Sequence, residues 1–518
     1  MIRKIVPFTL GIAALLSVLA ADEIVKTASD QARIDINADA PTRVYDRMIF
    51  GGFLEHIDNQ IYGGVFEPGS PLADQAGFRT DVLEAIMELK VPVVRWPGGC
   101  FVDSYHWQKG VGEKREAYGD FRWGAIEPNN FGTHEFVDLC RRIKAEPYIC
   151  LNGLASTQES LDWVAYCNAT EGEFAEMRKA NGHPDPFNVK FWSVGNERYD
   201  KVTVDRVRDV SMELRRLYPN LKLTCPGAQD GMKGVPEYLI NQVGGHLDYV
   251  SIHSYALSRE IELPRYDYLT AIAQSEQPEA LIESVISSIR AVDPRGGMKL
   301  AYDEWNLRAW QHPGFPRDRV DDYDAPEVRE LVARRRMQND QPDQYTMADA
   351  LFTASFLNAC LRRCDVVTMA NIAPLVNTRG PIFAHPKGIV KRTHYHTMWM
   401  YANLLQERVA DVTVSAVDIK GTPVSTIDAV ATVDATGSQW SVAFINRHAS
   451  ASVACTLVID GASLDGTYKA TILTGDSAES YNDIEHPHRV TPKDATLTFR
   501  KGAVSLPAHS LVIVDVVL

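Results

Sequence analysis

The sequence predicts an α/β fold: a parallel (β/α)8 TIM barrel followed by a C-terminal all-β sandwich of jelly-roll type. Three observations carry this reading. Between residues 49 and 376, eight short runs that are apolar along their whole length alternate with amphipathic helical patterns. Such runs suit parallel strands covered on both faces. Beyond about residue 395 the helical periods give way to short β-rich segments separated by Gly, Asp, Pro and Ser, as in a sandwich. The chain, at 518 residues and 45% hydrophobic, has material for a large core and an accessory domain. An open doubly wound sheet is the competing arrangement, but no G-x-G-x-x-G follows the first strand.

The first segment, MIRKIVPFTLGIAALLSVLAADE, has basic Arg3 and Lys4, an apolar stretch from Ile5 to Leu19, and small residues at Ala20 and Ala21. That layout predicts a signal peptide over residues 1–21 and an exported protein, periplasmic or secreted, and the stretch is too short for a confident membrane span. No Cys follows it, which argues against a lipid anchor. Residues 22–44 contain ARIDINADAPTRV, a strand-like stretch expected to join the β domain because chain termini often lie close together. The barrel is assigned to 45–395 and the sandwich to 396–518.

The predicted barrel strands are MIFGGFLE (48–55), VPVVRWPGG (91–99), EPYICLNG (146–153) and KFWSVGNE (190–197). LKLTCPG (221–227), LDYVSIHSY (247–255), MKLAYDEWN (298–306) and DVVTMANIAPLV (365–376) complete the eight. Between them, Val82, Ile86 and Leu89 keep one helical face apolar behind a Thr80 cap. Val207, Val210, Leu214 and Leu217 do the same over 203–218. The long polar stretch 311–343, between strands seven and eight, is expected near the rim of the active site.

A formal net charge of −14 argues against nucleic acid or an anionic membrane as partner. Eight Cys in an exported chain invite disulfides, but their apolar contexts fit core thiols, with room for one or two bridges. No C-x-x-C spacing and no H-E-x-x-H suggests a metal, and no G-x-S-x-G suggests a serine hydrolase.

A barrel presents its working groups at the C-terminal ends of its strands. Those ends carry Glu55, Cys100, Asn152, Asn196 with Glu197, His253 with Tyr255, Glu304 with Trp305, and Asn377. Carboxylates, amides and aromatics on one rim suit a ligand with many hydroxyls. Glycoside hydrolysis needs two carboxyl groups flanking the anomeric carbon, about 5–5.5 Å apart when configuration is retained. Glu197 and Glu304, on strands four and seven, face each other across such a barrel. One ionised carboxylate raises the pKa of its neighbour, which separates their roles. Either Glu alone reads as an ordinary surface acid; matching strand ends, with Asn196 before one and Trp305 after the other, argue for a pair.

The sequence resembles family 51 of the glycoside hydrolases. The likeness lies in FGGFLEHIDNQIYGGVFEPGS, VVRWPGGCFVDSYHWQKGVG, FWSVGNERYD, SIHSY, YDEWN, LVNTRGPIFAHPKGIVKRTHYH, FINRH and ESYNDIEHP, spread over nearly all of the mature chain. The resemblance implies a retaining α-L-arabinofuranosidase that needs no cofactor or metal, with an arabinose-containing polysaccharide or oligosaccharide as partner; it allows a homo-oligomer. It implies Glu197 as acid/base and Glu304 as nucleophile, and Asn196 on the sugar 2-hydroxyl. Glu55 would hold hydroxyls at the closed end, Tyr255 would bond the nucleophile or sugar, and His253 would support it. Cys100 stands where Asn is frequent in the family, and Pro374 where a substrate-binding Gln is frequent. Another glycosidase on the same fold, such as a xylosidase or endo-glucanase, is the alternative; a silent carbohydrate-binding protein would not need two paired carboxylates.

Overall fold

The computed structural model describes residues 32–517 apart from 124–125, 258–265, 293–296, 310–325, 327–329 and 331–339. The expected signal peptide, and most of the 311–343 segment, lie outside the described residues. Eight parallel strands close into a barrel. In chain order they are Gly51–Phe53, Val93–Trp96, Glu146–Leu151, Phe191–Val194, Lys222–Gln229, Tyr249–Leu257, Lys299–Arg308 and Val367–Ile372. Each falls within or overlaps a run predicted as a strand.

Continuous apolarity has the expected cause: both faces of each strand are covered. Inward-facing Val93, Tyr148, Phe191, Tyr249, Ala301 and Met369 form a plug inside the barrel. Outward-facing Val94, Trp96, Ile149, Trp192, Leu223, Val250, Ile252 and Leu300 pack beneath the helices. The helix at Thr80–Glu88 corrects one detail, because Thr80 is its first residue and Arg79 holds the cap position without a side-chain cap bond. The Thr80 hydroxyl instead donates to the Leu72 carbonyl at 3.0 Å. The helix Lys201–Leu217 is capped by Asp200, whose carboxylate accepts from the Thr203 N–H at 3.0 Å.

The strand Lys299–Arg308 contains an irregularity that shapes the site. Against Tyr249–Leu257, Ala301 pairs with Ser251 and Glu304 with His253, so the seventh strand carries one extra residue. Against Val367–Ile372 the same surplus falls between Tyr302 and Trp305. A bulge of this kind re-aims side chains. Here it turns both Asp303 and Glu304 toward the barrel axis and sends Trp305 outward.

The C-terminal domain has two sheets. A seven-stranded sheet runs from Arg43–Val44 through Arg408–Val409, Ile427–Val433, Gln439–Asn446, Ser510–Val517 and Gly466–Leu473 to Lys493–Phe499. In the second sheet the N-terminal strand Ala32–Asn37 lies between Asp411–Ala416 and Val453–Ile459, antiparallel to the first and parallel to the second. Ile34, Trp440, Phe444, Leu457 and Val512 fill the space between the sheets. On its other face the larger sheet adds Val430, Ala443, Ile445, Leu511 and Ile513 to the barrel's core. Strands such as Ile427–Val433 are therefore buried at every position. Arg447 crosses this junction, 2.9 Å from Asp428 and 2.8 Å from Glu276. None of the eight cysteines forms a disulfide and seven of them are buried, so the room left for bridges is unused.

Candidate active site

The strand Phe191–Val194 ends at Gly195, whose φ of +87° belongs to the left-handed region that glycine enters freely. Glu197 also has a positive φ, +42°, uncommon for a residue with a side chain. This sharp exit lifts Asn196 and Glu197 to the barrel mouth. Across the axis the bulged seventh strand delivers Glu304. Carboxylate oxygens of Glu197 and Glu304, and a ring nitrogen of His253, all lie within 4.8 Å of one another.

Two cations fasten this group. Arg95, 1% exposed, donates from Nη1 to Glu304 Oε1 at 2.6 Å and from Nη2 to Asn196 Oδ1 at 2.8 Å. His253 Nδ1 lies 2.8 Å from Glu197 Oε1 and 3.6 Å from Glu304 Oε2. Burial disfavours a charged imidazole, but Glu304, Asp303 and Glu197 outweigh it and raise the pKa to about 10. Nδ1 is thus a donor at neutral pH. Tyr255 donates to Glu304 Oε2 at 2.9 Å, so both oxygens of Glu304 are held. Glu197, His253 and Glu304 are, among the described residues, the set close enough to hold a metal ion. The two carboxylates already face the Arg95 guanidinium and the His253 imidazolium, and a protonated His253 has no lone pair to offer, a poor welcome for a further cation.

A cavity of about 230 Å³ opens over these groups. Its lining includes Phe53, Glu55, Gln60, Cys100, Arg122, Trp123, Tyr255, Pro374 and Arg379. Glu55 accepts on Oε1 from the Phe101 N–H at 2.9 Å and from Trp123 Nε1 at 3.0 Å. A Cβ on Gly99 would stand 2.6 Å from that carboxylate, so this close approach requires glycine. The Cys100 thiol donates to Glu197 Oε2 at 3.7 Å and accepts from Asn196 Nδ2 at 3.8 Å. Burial, then the charge of Glu197, push its pKa up and keep it a thiol.

Burial, then the charge of Glu304, raise Glu55 to a pKa of about 8. An acid whose folded pKa lies above its unfolded value costs stability as pH rises through the interval between the two. From about pH 4.5 to about 8 the folded chain holds a proton that the unfolded chain releases. Glu55→Gln is expected to remove that dependence, worth roughly 4–5 kcal/mol across the interval. Denaturant unfolding at pH 5 and pH 9 checks it: stability should fall less for the variant than for the wild type, and equal falls would refute the assignment.

Glu55, Cys100, Asn196, Glu197, His253, Tyr255 and Glu304 are therefore brought together. Trp305 is not. The bulge places it on the outer face of its strand, 2% exposed and stacked on Phe356 at 3.8 Å between ring centroids. Asn152 and Asn377 tie loops instead: Asn152 accepts from the Leu154 and Ala155 N–H groups, and Asn377 bonds Asn59 and Ala384. The reading of strand ends missed Arg95, Asp303, Trp123 and Arg122. Arg95 had a legible signal, a lone cation inside the apolar run VVRW, which a buried strand tolerates only opposite carboxylates. Trp123 reaches the cavity from a long excursion after strand two, and no periodicity marks it.

The described geometry meets known proteins at several points. Residues 85–271 match the family model of the α-L-arabinofuranosidase 1 domain, and residues 303–510 that of the α-L-arabinofuranosidase C-terminal domain. The chain is 32% identical over 485 residues to α-L-arabinofuranosidase C of Emericella nidulans, covering 86% of this chain and 90% of the relative. It is 31% identical over 387 residues to an intracellular exo-α-(1→5)-L-arabinofuranosidase of Halalkalibacterium halodurans, covering 70% and 74%. The crystal structure of the GH51 arabinofuranosidase from Xanthomonas axonopodis pv. citri superposes with a TM-score of 0.81 at 26% identity, covering 94% of this chain and all of that one. A closed parallel barrel with facing acids on its fourth and seventh strands, and a strand-rich C-terminal domain, marks a glycoside hydrolase. The chain belongs to the α-L-arabinofuranosidases of glycoside hydrolase family 51.

Proposed function

We propose that this protein is an exported, retaining, exo-acting α-L-arabinofuranosidase that releases terminal arabinofuranose from arabinoxylan, arabinan or their oligosaccharides. The approach of Glu197 to Glu304, within 4.8 Å, carries the reading, because it leaves no room for the water molecule that inversion places between the sugar and the base carboxylate. Glu304, held on both oxygens by Arg95 and Tyr255, is the nucleophile. Glu197, reached by the His253 N–H, protonates the departing oxygen and then activates water. Asn196 takes the sugar 2-hydroxyl, and Glu55 with Trp123 closes the far end of the cavity. A far end closed in this way suits exo action, and the bacterial relative is exo-acting. The domain limits 45–395 and 396–518 belong to the same reading, with the sandwich as a buttress of the barrel. The signal-like residues 1–21 support export.

Proton NMR during hydrolysis of an aryl α-L-arabinofuranoside tests the mechanism. The α anomer of arabinofuranose is expected first, before mutarotation. The β anomer first would establish inversion and overturn the double displacement. No turnover by folded enzyme, with turnover of an aryl xyloside, would move the substrate class to xylosides.

A further inference from the structure

We propose that Asp303 is a positioning residue, a single buried carboxylate that holds both cations of the site, Arg95 and His253, against the catalytic pair. The proposal rests on reading Glu197 and Glu304 as that pair. Asp303 is fully buried and lies beneath the cavity rather than along its wall. Its Oδ2 is 3.3 Å from Arg95 Nε and accepts from the Tyr148 hydroxyl at 2.7 Å. Its Oδ1 is 3.3 Å from His253 Nε2 and accepts from the Ser251 hydroxyl. Each cation has its other end on the reacting groups: Arg95 on Glu304 and Asn196, His253 on Glu197 and Glu304. Among the described residues neither Arg95 Nε nor His253 Nε2 has a hydrogen-bond partner, so both contacts with Asp303 are ion pairs; charge attraction at one end and hydrogen bonds at the other narrow the rotamers each side chain can take. Partners of this kind, one layer below the reacting groups, set the geometry above them.

The bulge makes the arrangement available. In a regular strand the side chains of Asp303 and Glu304 would take opposite faces. The extra residue turns both inward at different depths, Asp303 below and Glu304 at the cavity.

The charges agree with the geometry. The carboxylates acting on the imidazole are Glu197 after strand four and Asp303 and Glu304 on strand seven. Tyr255, on its own strand, shares Glu304 Oε2 with it, and Arg95 on strand two, Tyr199 after strand four and Cys225 on strand five lie about the same carboxylates. Of these, the three carboxylates keep His253 charged against the pull of burial. In return, Arg95 and His253 overcome the burial of Asp303 and hold its pKa at about 2.

Carbon-13 NMR of protein labelled at histidine Cε1 tests this in wild type and Asp303→Asn, with the His253 resonance assigned by its loss in His253→Gln. The wild-type His253 midpoint is expected near pH 10. Asp303→Asn is expected to lower it by at least about one pH unit, and to cut kcat on the aryl arabinofuranoside about 10–100-fold with KM nearly unchanged. A wild-type midpoint in the ordinary histidine range overturns the proposal whether or not the variant folds. A folded variant that keeps either the wild-type midpoint or the wild-type kcat also overturns it. The titration is independent of the sugar cleaved. A lowered midpoint in a protein inactive on arabinofuranosides would support the tether and defeat the functional reading alone.

Discussion

Glu304→Ala is expected to lose hydrolysis of an aryl α-L-arabinofuranoside by more than about 10⁴-fold, and added azide is expected to restore turnover. The substitution removes the atom that would attack the anomeric carbon and leaves a space above Tyr255 and Arg95. Azide entering there attacks the same face, forming the C–N bond as the C–O bond to the aryl group breaks. The product is then the β-glycosyl azide, inverted once. Chromatography and NMR of the product read the outcome. Loss without rescue in a folded variant would leave Glu304 as a structural acid, and retained activity would place the nucleophile elsewhere. Neither result could be blamed on Glu197, which keeps its bond to His253.

The second large effect concerns stability as well as rate. Arg95→Met keeps the bulk of the side chain and removes the cation that lies 2.6 Å from Glu304 and 3.3 Å from Asp303. Burying charges is tolerable only when they are paired, and removal of one partner from a buried pair costs about 3–5 kcal/mol. The variant is expected to unfold at lower denaturant by that amount. It should also lose about 10³-fold in kcat, because Glu304 and Asn196 lose their common donor. Arg95→Lys should recover part of the stability but little of the rate, since an ammonium cannot serve three partners in a plane. Denaturant curves and kinetics on the three proteins check this. An Arg95→Met protein as stable as wild type would mean that His253 alone neutralises the site.

Much of this was legible in the residues. Eight strands could be read because each is apolar on both faces, and the rim because a parallel barrel sends every strand end to one side. Glu197 stood out since an apolar run halted at Gly-Asn-Glu, and its partner followed from the opposing strand. Trp305 was misplaced for a physical reason. Strict alternation from Ala301 would turn Trp305 inward and Glu304 outward, and the single extra residue in Lys299–Arg308 reverses both. A bulge leaves no mark in composition, because it arises from how three strands twist past one another.

The sequence by itself determined the closed parallel barrel, the strand-rich C-terminal domain, and the two acids with the amide beside them, since periodicity and strand ends are local properties of the chain. Only the tertiary structure decided which neighbours those acids have. Arg95, Asp303, His253 and Trp123 come from distant segments, and their contacts depend on strand register and loop path. The electrostatics of the site follow the same division. The chain supplies three carboxylates and two cations, but the charge states of Asp303 and His253 are set by burial and by ion-pair contacts of about 3 Å, which exist only once the barrel has closed.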